Sequence, residues 1–357
     1  MMLKVASVGA GWVTSSRHIP ALKRSGRCEV VGIIDKHAER ARAVAERFSL
    51  PHWSDDLDGV WMDEVQACSV GVPPRDHFEV ADALLDMGKH VLLEKPMCLT
   101  LTEGAALAAK ARLKGLTLAI VHNFQFARSA VRARSLLASG RFGKVTGLHG
   151  FQLSSPRRRL PCWHDELPLG LFYDESPHLL YLLRAFGQGV MRLRHASAVP
   201  SSFGRSTPAV VQAEFAAGDI PATLFMNFEA PISEWHLMVF AERGALVIDI
   251  FRDILVVVPS DRRHEATDIV RSSFSMLAGH LAGFVRSGLR HCTGRLNYGN
   301  DEVVSRFCRG VEDGELPEGI DSDAALEILG LQWAILNHVQ SRSPGADARP
   351  AGYSLLS

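Results

Sequence analysis

The sequence contains a glycine-rich turn of the kind that binds the phosphates of a dinucleotide. In "VASVGAGWVTSSRHIPAL", Gly9 and Gly11 directly follow a short apolar run and precede a helical pattern. Gly9 would permit the tight turn, and Gly11 would let the backbone approach a pyrophosphate at the helix N-terminus. Thr14 stands where the third glycine of the G-x-G-x-x-G pattern is expected, so the turn by itself is a weak indication.

An acidic residue after the second apolar run strengthens this interpretation. Asp35 lies 26 residues beyond Gly9, where a carboxylate can accept hydrogen bonds from both hydroxyls of the adenosine ribose. Because Asp35 would repel a 2′-phosphate, it favours NAD, whereas the neighbouring Lys36 leaves NADP open. We therefore predict a dinucleotide site; the alternative is a structural glycine turn with a solvent-facing aspartate.

A second group of polar residues, from Asp174 to His178, precedes an apolar helical run. An Asp or Ser before a first-turn proline begins many helices, so the group alone is typical of an ordinary helix start. Because proline is tolerated in the first turn, Pro177 predicts a helix that begins at or just before Asp174. His178 would then lie in that turn, where the helix dipole lowers the pKa of an imidazole and keeps it a base near neutrality.

The elements that position these residues alternate in the first third of the chain. Short β-branched runs separated by strong helix formers predict the α/β class, with a parallel, doubly wound sheet. The predicted strands cover 3–8, 29–34, 67–70, 90–93 and 117–121, and the predicted helices cover 37–48, 75–88 and 102–115.

After residue 123 the pattern changes to long alternating strands only a turn apart, which predicts an antiparallel meander within an α+β domain. We predict a dinucleotide-binding domain over 1–123, a substrate-binding and oligomerisation domain over 124–340, and a flexible C-terminal tail over 341–357. The second domain would contain strands within 144–153, 209–216, 222–229, 236–242, 245–251 and 254–259, and helices over 127–140, 174–186, 271–287 and 321–340.

The composition excludes several classes of protein. Lys plus Arg equals Asp plus Glu at 39 each, so no net charge draws the chain of 357 residues to nucleic acid or an anionic membrane. No run approaches the ~18 apolar residues that span a bilayer. The six cysteines are scattered without zinc-binding spacing, which predicts no metal site and reduced thiols in a cytoplasmic protein.

The segment "VPPRDHFEVADALLDMGKHVLLEKPMCLT" closely resembles the signature of the Gfo/Idh/MocA oxidoreductases, and the resemblance runs from Val5 to about Val339. It implies an N-terminal Rossmann domain and a C-terminal α+β domain. The large, mostly antiparallel open sheet of that second domain often forms a subunit interface in the family, so a homodimer or homotetramer is expected. The signature residues are Pro73, Pro74, His77, Gly88, Lys89, His90, Glu94, Lys95 and Pro96.

The resemblance also implies a catalytic set. Family members usually place a lysine, an aspartate and a histidine four residues later around the nicotinamide, and the matching positions are Lys95, Asp174 and His178. Hydride transfer from a carbinol carbon requires removal of the hydroxyl proton, which His178 could accept, and stabilisation of the alkoxide, which Lys95 could provide. Asp174 would orient His178 or accept a substrate hydroxyl. Tyr181 stands three residues after His178, where relatives frequently carry an acid.

Further cofactor contacts are expected from the phosphate turn and from residues after the parallel strands. Val72 and Pro73 would flank the nicotinamide. Glu94 and Asn123 would face the same crevice, although each could equally serve the fold alone. The predicted cofactor-binding residues are Gly9, Ala10, Gly11, Trp12, Val13, Asp35, Lys36, Val72, Pro73, His77, Glu94, Lys95 and Asn123.

The segment "SSPRRRLPCWHDELP" carries the clues to the substrate. Arginine binds carboxylates and phosphates in a bidentate manner, so Arg157 and Arg158 indicate an anionic sugar derivative. Trp163 could cover a sugar face, and Tyr173 is a further candidate for a substrate contact. The alternative is a solvated loop or a subunit contact.

Together these features predict an NAD(P)-dependent oxidoreductase that moves a hydride between nicotinamide and a secondary alcohol or ketone of a sugar, cyclitol or sugar derivative. Two alternatives remain open. The chain could use NAD transiently for net non-redox chemistry, as in some relatives that cleave glycosides, or it could be a cofactor-binding sensor without turnover.

Overall fold

The computed structural model describes residues 2–158, 162–261, 265–314 and 318–341. Its first sheet contains β1 (Leu3–Val8), β2 (Cys28–Ile34), β3 (His52–Ser54), β4 (Ala67–Val70), β5 (His90–Leu93) and β6 (Leu118–Ile120). The strands are parallel in the order β3-β2-β1-β4-β5-β6. The order reverses between β1 and β4, and ligands of such folds bind in the crevice at the carboxyl ends of these strands. The strand β3 was not predicted, because it is short and its side chains are mostly exposed.

Four helices cover this sheet: α1 (Ile19–Ser25), α2 (Ala38–Phe48), α3 (His77–Asp86) and α4 (Leu101–Leu113). A short π-helical segment, Thr14–His18, runs directly into α1. The start of α4 is fixed by a capping box, in which Thr100 and Glu103 each accept a hydrogen bond from the main chain of the other.

The second sheet contains β7 (Val145–Leu153), β8 (Met191–Val199), β9 (Val210–Ala217), β10 (Ile220–Asn227), β11 (Glu234–Ala241), β12 (Gly244–Asp249) and β13 (Ile254–Pro259). Its order is β13-β12-β11-β7-β10-β9-β8, and only the β7–β10 pair of these strands is parallel. The predicted fold class, a Rossmann sheet followed by a large, mostly antiparallel open sheet, is confirmed.

Five further helices complete the described fold: α5 (Arg128–Ala138), α6 (Leu171–Phe186), α7 (Ala266–Cys292), α8 (Asn300–Asp313) and α9 (Ser322–Ser341). The helix α6 packs on one face of the second sheet, where Leu179 and Leu183 lie over Gly150. The helix α8, which was not predicted, contributes Val303 and Phe307 to the core of the Rossmann domain. The chain therefore returns to its first domain after the second sheet. A boundary at residue 123 separates the strands of the two sheets, but the later helix α8 packs in the first domain.

The helix α6 begins at Leu171, three residues earlier than predicted, so Pro177 lies inside it. The main-chain N–H of Leu171 donates to Thr207 Oγ1 at 2.9 Å, which satisfies an amide at the helix start. Pro177 has no N–H for the main-chain oxygen of Tyr173, four residues before it. Gln332 of α9 supplies the missing donor through its side-chain amide, at 2.8 Å.

Among the described residues, none of the helices combines the length and apolar character needed to cross a membrane. The predicted tail lies outside the described residues, apart from Ser341 at the end of α9.

Candidate active site

The turn after β1 has the geometry of a phosphate-binding turn. Gly9 has a φ of +92°, and a Cβ at this position would lie 2.7 Å from the main-chain oxygen of Gly71. A Cβ at Gly11 would meet only Gly71 oxygen, at 3.8 Å, so the backbone of Gly11 is open on its other sides. The turn needs glycine at position 9, and glycine at position 11 leaves the amides at the helix start open to a pyrophosphate.

The missing third glycine of the pattern is compensated by another residue. Thr14 Oγ1 lies only 2.5 Å from where a Cβ at Gly71 would stand. The close approach of helix and sheet that a glycine at position 14 would allow is therefore provided by Gly71 after β4. The G-x-G-x-x-G pattern is incomplete in the sequence because the glycine of this contact is Gly71, after β4, and not a residue of the helix.

Asp35 lies at the end of β2, beside the turn. Its Oδ2 accepts a hydrogen bond from the Ala10 amide at 2.7 Å, and its Oδ1 accepts from the His37 amide at 2.9 Å. A carboxylate has about four acceptor sites, so two remain for ribose hydroxyls. Lys36 Nζ is 3.7 Å from Asp76 Oδ2, and the side chain of Trp12 is 70% exposed at the edge of the turn.

Lys95 and Asp174 meet at the carboxyl end of β5. Lys95 Nζ donates to Asp174 Oδ1 at 2.7 Å and to the main-chain oxygen of Asp174 at 2.9 Å. Burial by itself would lower the pKa of Lys95, but the carboxylates of Asp174 and Glu94 outweigh it and raise that pKa above its usual value. Lys95 is therefore an ammonium donor held at a fixed place, and it is not a base near neutral pH.

His178 lies on the same helix as Asp174 but forms a different hydrogen bond. Its Nδ1 is 2.9 Å from the hydroxyl of Tyr181. The pKa of His178 is held well below 6.5, chiefly by burial and further by the charges of Lys95 and His122. Since α6 begins at Leu171, His178 occupies the third turn, and the expectation that the helix dipole lowers its pKa from the first turn is wrong. The ring is neutral, as predicted, but because it is desolvated.

Tyr181 is the residue that fixes the ring of His178 by a hydrogen bond. Its oxygen accepts from the Phe124 amide at 3.0 Å, and its hydroxyl donates to Asn123 Oδ1 at 3.3 Å. Asn123 is oriented in turn by donation from its Nδ2 to the main-chain oxygen of Tyr298 at 3.0 Å. Asn123 thus contacts the protein through both polar atoms of its side chain and reaches the site through Tyr181.

The side chains of three other predicted contact residues form hydrogen bonds within the protein. His77 is fully buried, with Nδ1 2.7 Å from Pro96 oxygen and Nε2 3.0 Å from Val72 oxygen, which places it behind the site. Glu94 accepts from His18 and from the Lys95 amide. Tyr173 is fully buried, and its hydroxyl donates to the main-chain oxygens of Cys98 and Leu99. The role of Tyr173 as a substrate contact is therefore wrong in this structure, because no part of its side chain reaches solvent.

The basic segment before α6 reaches the site through one of its arginines. Arg158 donates to Glu175 Oε1 at 2.8 Å and to Ser154 Oγ at 3.1 Å, so its charge is paired with a buried carboxylate. Arg157 is exposed, and Trp163 packs half-buried against the Rossmann core. Arg159, the third arginine of the run, lies outside the described residues.

No metal site was predicted, but the described residues include three potential metal ligands close together on the second sheet. Donor atoms of Glu234, His236 and Asp249 lie within 4.8 Å of one another. Arg252 lies among them, with its NH1 2.7 Å from both Glu234 Oε2 and Asp249 Oδ2. The guanidinium is the cation that balances this cluster.

The structure adds residues that the sequence reasoning missed. The sequence does carry a signal for a residue such as Gln332, because a proline inside a helix leaves a carbonyl that needs a donor from another element. His18 carried no recognised signal, since a lone histidine in an amphipathic helix is usually structural. Trp235 lies beside His178, with 5.5 Å between ring centres, and its indole N–H has no partner within the described residues.

Comparisons with known proteins agree with this geometry. Residues 3–122 match the model of the GFO_IDH_MocA family, described as "Oxidoreductase family, NAD-binding Rossmann fold". A dehydrogenase of Comamonas testosteroni that acts on 1-carboxy-3-chloro-3,4-dihydroxycyclohexa-1,5-diene is 28% identical over 176 residues, 48% of this chain and 44% of the relative. D-glucoside 3-dehydrogenase of Escherichia coli is 31% identical over 147 residues, 40% of this chain and 41% of the relative.

The match to these curated relatives thus spans less than half of their length. A solved structure extends the likeness in fold to both domains. GenD2 from gentamicin A biosynthesis, in complex with NAD, superposes with a TM-score of 0.75 at 19% identity, and the match covers 95% of this chain and 93% of that one.

Proposed function

We propose, from the membership of this chain in the Gfo/Idh/MocA family of NAD-binding oxidoreductases through residues 3–122, that it is an NAD(P)-dependent dehydrogenase or reductase. Its substrate is a secondary alcohol or ketone of a sugar, cyclitol or sugar derivative. One observation carries the proposal: the Lys95 ammonium, fixed by Asp174, lies at the carboxyl end of the Rossmann sheet near a neutral His178.

In the oxidation direction, bound nicotinamide supplies the acceptor for the hydride, which leaves the carbinol carbon with both electrons of its C–H bond. His178 accepts the hydroxyl proton, and the C–O bond becomes a carbonyl. Lys95 donates a hydrogen bond to the oxygen while negative charge develops on it. Reduction follows the same steps in reverse, with His178 returning the proton.

The hydrogen bonds around Tyr181 select the tautomer of His178 that this step needs. The Tyr181 oxygen already accepts from the Phe124 amide, and its hydroxyl proton points to Asn123. His178 then donates from Nδ1 to Tyr181, and the lone pair of Nε2 is left for the substrate hydroxyl. The alternative tautomer, with Tyr181 donating to Nδ1, would leave Nε2–H as a donor and remove the base.

The cofactor is NAD in preference to NADP. Asp35 holds its carboxylate at the end of β2 by two main-chain amides, so a 2′-phosphate would meet a fixed negative charge. Lys36 is 65% exposed on its side chain, and its ion pair with Asp76 at 3.7 Å is long, so it could turn toward a phosphate. NADP therefore remains the second cofactor to test.

Support for an anionic substrate rests on fewer residues than the sequence indicated. Arg158 is paired with Glu175, which leaves Arg157 as the described arginine of this segment that could meet a carboxylate. A neutral sugar or cyclitol ring is the simpler proposal, and sugar acids and nucleotide sugars belong in the same screen.

We also propose that the protein forms a homo-oligomer through its second domain. The helix α7 has a single buried residue, Ser287, and packs on β13 where Gly279 and Gly283 approach Val256 and Ile254. Most of its large apolar side chains remain exposed, beyond what monomer surfaces usually show. They are Ile269, Val270, Phe274, Met276, Leu277, Leu281, Phe284, Val285 and Leu289.

A second copy that covers α7 and the neighbouring open face of the sheet would bury this surface. The five cysteines with described side chains are free thiols, in line with the proposed cytoplasmic location.

A ligand screen tests the proposed activity. Thermal shift with NAD or NADP plus sugars, cyclitols, sugar acids and nucleotide sugars identifies binders, because a ligand of the native state raises Tm. The binders are then assayed for NADH at 340 nm and for products. Net NADH formation supports the dehydrogenase. Turnover with NAD recovered would show net non-redox chemistry, and binding without any product would leave a sensor.

A further inference from the structure

The described fold contains a buried histidine, His18, for which the proposed reaction has no use. It lies at the end of the π-helical segment that follows the phosphate turn and is 2% exposed. Its Nδ1 is 2.9 Å from Ser69 Oγ in β4, and its Nε2 is 2.9 Å from Glu94 Oε1 at the end of β5. One side chain therefore joins the helix of the phosphate turn to two strands of the sheet.

The partners determine the direction of one of these two hydrogen bonds. A carboxylate accepts hydrogen bonds and does not donate them, so the ring donates from Nε2 to Glu94. The Ser69 hydroxyl can donate to Nδ1 or accept from it, so both ring nitrogens of His18 have a partner.

The second oxygen of Glu94 continues the connection to the catalytic lysine. Glu94 Oε2 accepts from the main-chain amide of Lys95 at 3.0 Å. The next residue, Pro96, is held from the other side, since its main-chain oxygen is 2.7 Å from the ring of His77. The main chain that carries Lys95 is thus fixed at two points, and its ammonium is fixed at a third by Asp174.

We propose that His18 and Glu94 are positioning residues: His18 orients the carboxylate of Glu94, and Glu94 holds the Lys95 main chain so that its ammonium meets the substrate oxygen. This inference rests on the proposed function of Lys95 as the donor to that oxygen. It also links the two ends of the site, because one continuous helical segment carries both the amides that would face cofactor phosphates and the histidine that supports Lys95.

The hydrogen bond from His18 to Glu94 depends on the length of the side chain at position 18. The Nε2 of a histidine is matched in reach by the amide nitrogen of glutamine, and its Nδ1 by that of asparagine. His18→Gln should therefore retain a donor for Glu94, whereas His18→Asn should retain only the contact with Ser69. The two variants remove the same ring and differ in the one hydrogen bond that the proposal needs.

Several titratable groups face Lys95 and set the background for a titration. They are Asp174, Glu175 and His178 of α6, Glu94 at the end of β5, and His77 of α3. Glu94 is one of the carboxylates that raise the pKa of Lys95. Glu94→Gln keeps the size of the side chain and an acceptor for the Lys95 amide but removes the charge, so the pKa of Lys95 should fall.

The first experiment compares turnover and cofactor binding in the two histidine variants. We expect His18→Asn to lower kcat about tenfold, the scale of a misplaced catalytic group, with NAD affinity within about twofold of wild type. His18→Gln should recover most of that loss. Equal kcat values in the two variants would overturn the role of His18, and so would an unchanged kcat in His18→Asn.

The second experiment does not depend on turnover. The chain has eight lysines, so protein labelled with ¹³C at the lysine Cε gives a small set of signals, and Lys95→Arg identifies that of Lys95. We expect the Lys95 signal in Glu94→Gln to titrate at lower pH than in wild type, and His18→Asn to change its shift more than His18→Gln does. An unmoved signal in all three variants would overturn the proposal. If the wild type turns over no substrate while these shifts appear, the proposed activity fails and the positioning role stands.

Discussion

The side-chain amide of Gln332 donates to the main-chain oxygen of Tyr173, the atom that Pro177 leaves without its helical partner. The same amide lies 3.0 Å from Ser176 Oγ, so α9 supports α6 at the turn between Asp174 and His178. Proline is therefore tolerated inside the helix because another helix supplies the donor. The separation of Asp174 and His178 depends on this turn.

A double-mutant cycle tests that compensation. Gln332→Met should destabilise the protein by about 1–3 kcal/mol, because it leaves a buried carbonyl without a donor. In a Pro177→Ala background the alanine N–H can serve Tyr173, so the same change should cost less. Urea unfolding of the four proteins gives the coupling free energy. A coupling near zero would show that Gln332 and Pro177 act independently.

Replacing Lys95 by methionine should separate binding from catalysis. We expect NAD affinity to stay close to wild type while kcat falls by about 10²-fold or more, since the fixed ammonium is absent when charge develops on the substrate oxygen. Lys114→Met, a change at an exposed lysine of the Rossmann domain, is the matched control and should keep wild-type kcat. Wild-type turnover in Lys95→Met would refute the assignment.

The same substitution should change the titration of His178. Burial, Lys95 and His122 hold its pKa well below 6.5, so the acidic limb of kcat against pH should lie well below neutrality in the wild type. Loss of the Lys95 charge makes protonation easier, so the pKa of His178 should rise and the limb should move to higher pH. The residual activity of Lys95→Met, measured from pH 4 to pH 8, checks this direction.

Tyr181→Phe should lower kcat by roughly 10- to 100-fold at unchanged NAD affinity, since His178 would lose the partner that fixes its tautomer. Tyr173→Phe is the control, because it removes a buried hydroxyl that donates to main-chain oxygens of Cys98 and Leu99. We expect that control to lose stability and to keep the wild-type pH profile. If both variants behave alike, Tyr181 serves only the fold.

Acid should weaken the fold through His122. Burial lowers the pKa of His122 to about 4, whereas the unfolded chain binds this proton near pH 6.5. The corresponding stability is complete above pH 6.5 and is lost as the pH falls to about 4, by roughly 3 kcal/mol. Urea unfolding at pH 7 and pH 4.5 should show a smaller loss in His122→Asn than in wild type. The exposed His291→Asn serves as the control and should lose as much as wild type.

A charge on α7 should dissociate the proposed oligomer. Leu277 and Phe284 are 65% and 58% exposed on this helix, so a second copy must cover them if the interface exists. We expect Leu277→Glu/Phe284→Glu to lower the molar mass in light scattering at a Tm close to that of wild type. Leu113→Glu, at an 88% exposed leucine of α4, should keep the wild-type mass. A monomeric wild type would refute the proposal.

Much of the fold could be read from local patterns. Buried strands of a parallel sheet are continuous apolar runs, and five of the six strands of the first sheet are predicted for this reason. The strand β3 is not, because it buries little of its surface. The prediction missed β8 and α8 although both carry a local pattern: β8 begins with arginines that alternate with apolar residues, and α8 has a periodic apolar face. The sequence does not show that this face of α8 packs in the first domain.

Local patterns and the family resemblance predict the residue types of the proposed site: a glycine turn, an acid after β2, and Lys95, Asp174 and His178 as the expected catalytic set. The contacts that each of these residues makes are visible only in the folded chain. In the folded chain Asp174 pairs with Lys95, and His178 forms a hydrogen bond with Tyr181. Tyr173 is buried in the core, and Arg158 forms an ion pair with Glu175. This is because hydrogen bonds and pKa values depend on which groups meet after burial, and those neighbours lie as far as 175 residues apart in the chain, as Asn123 and Tyr298 do.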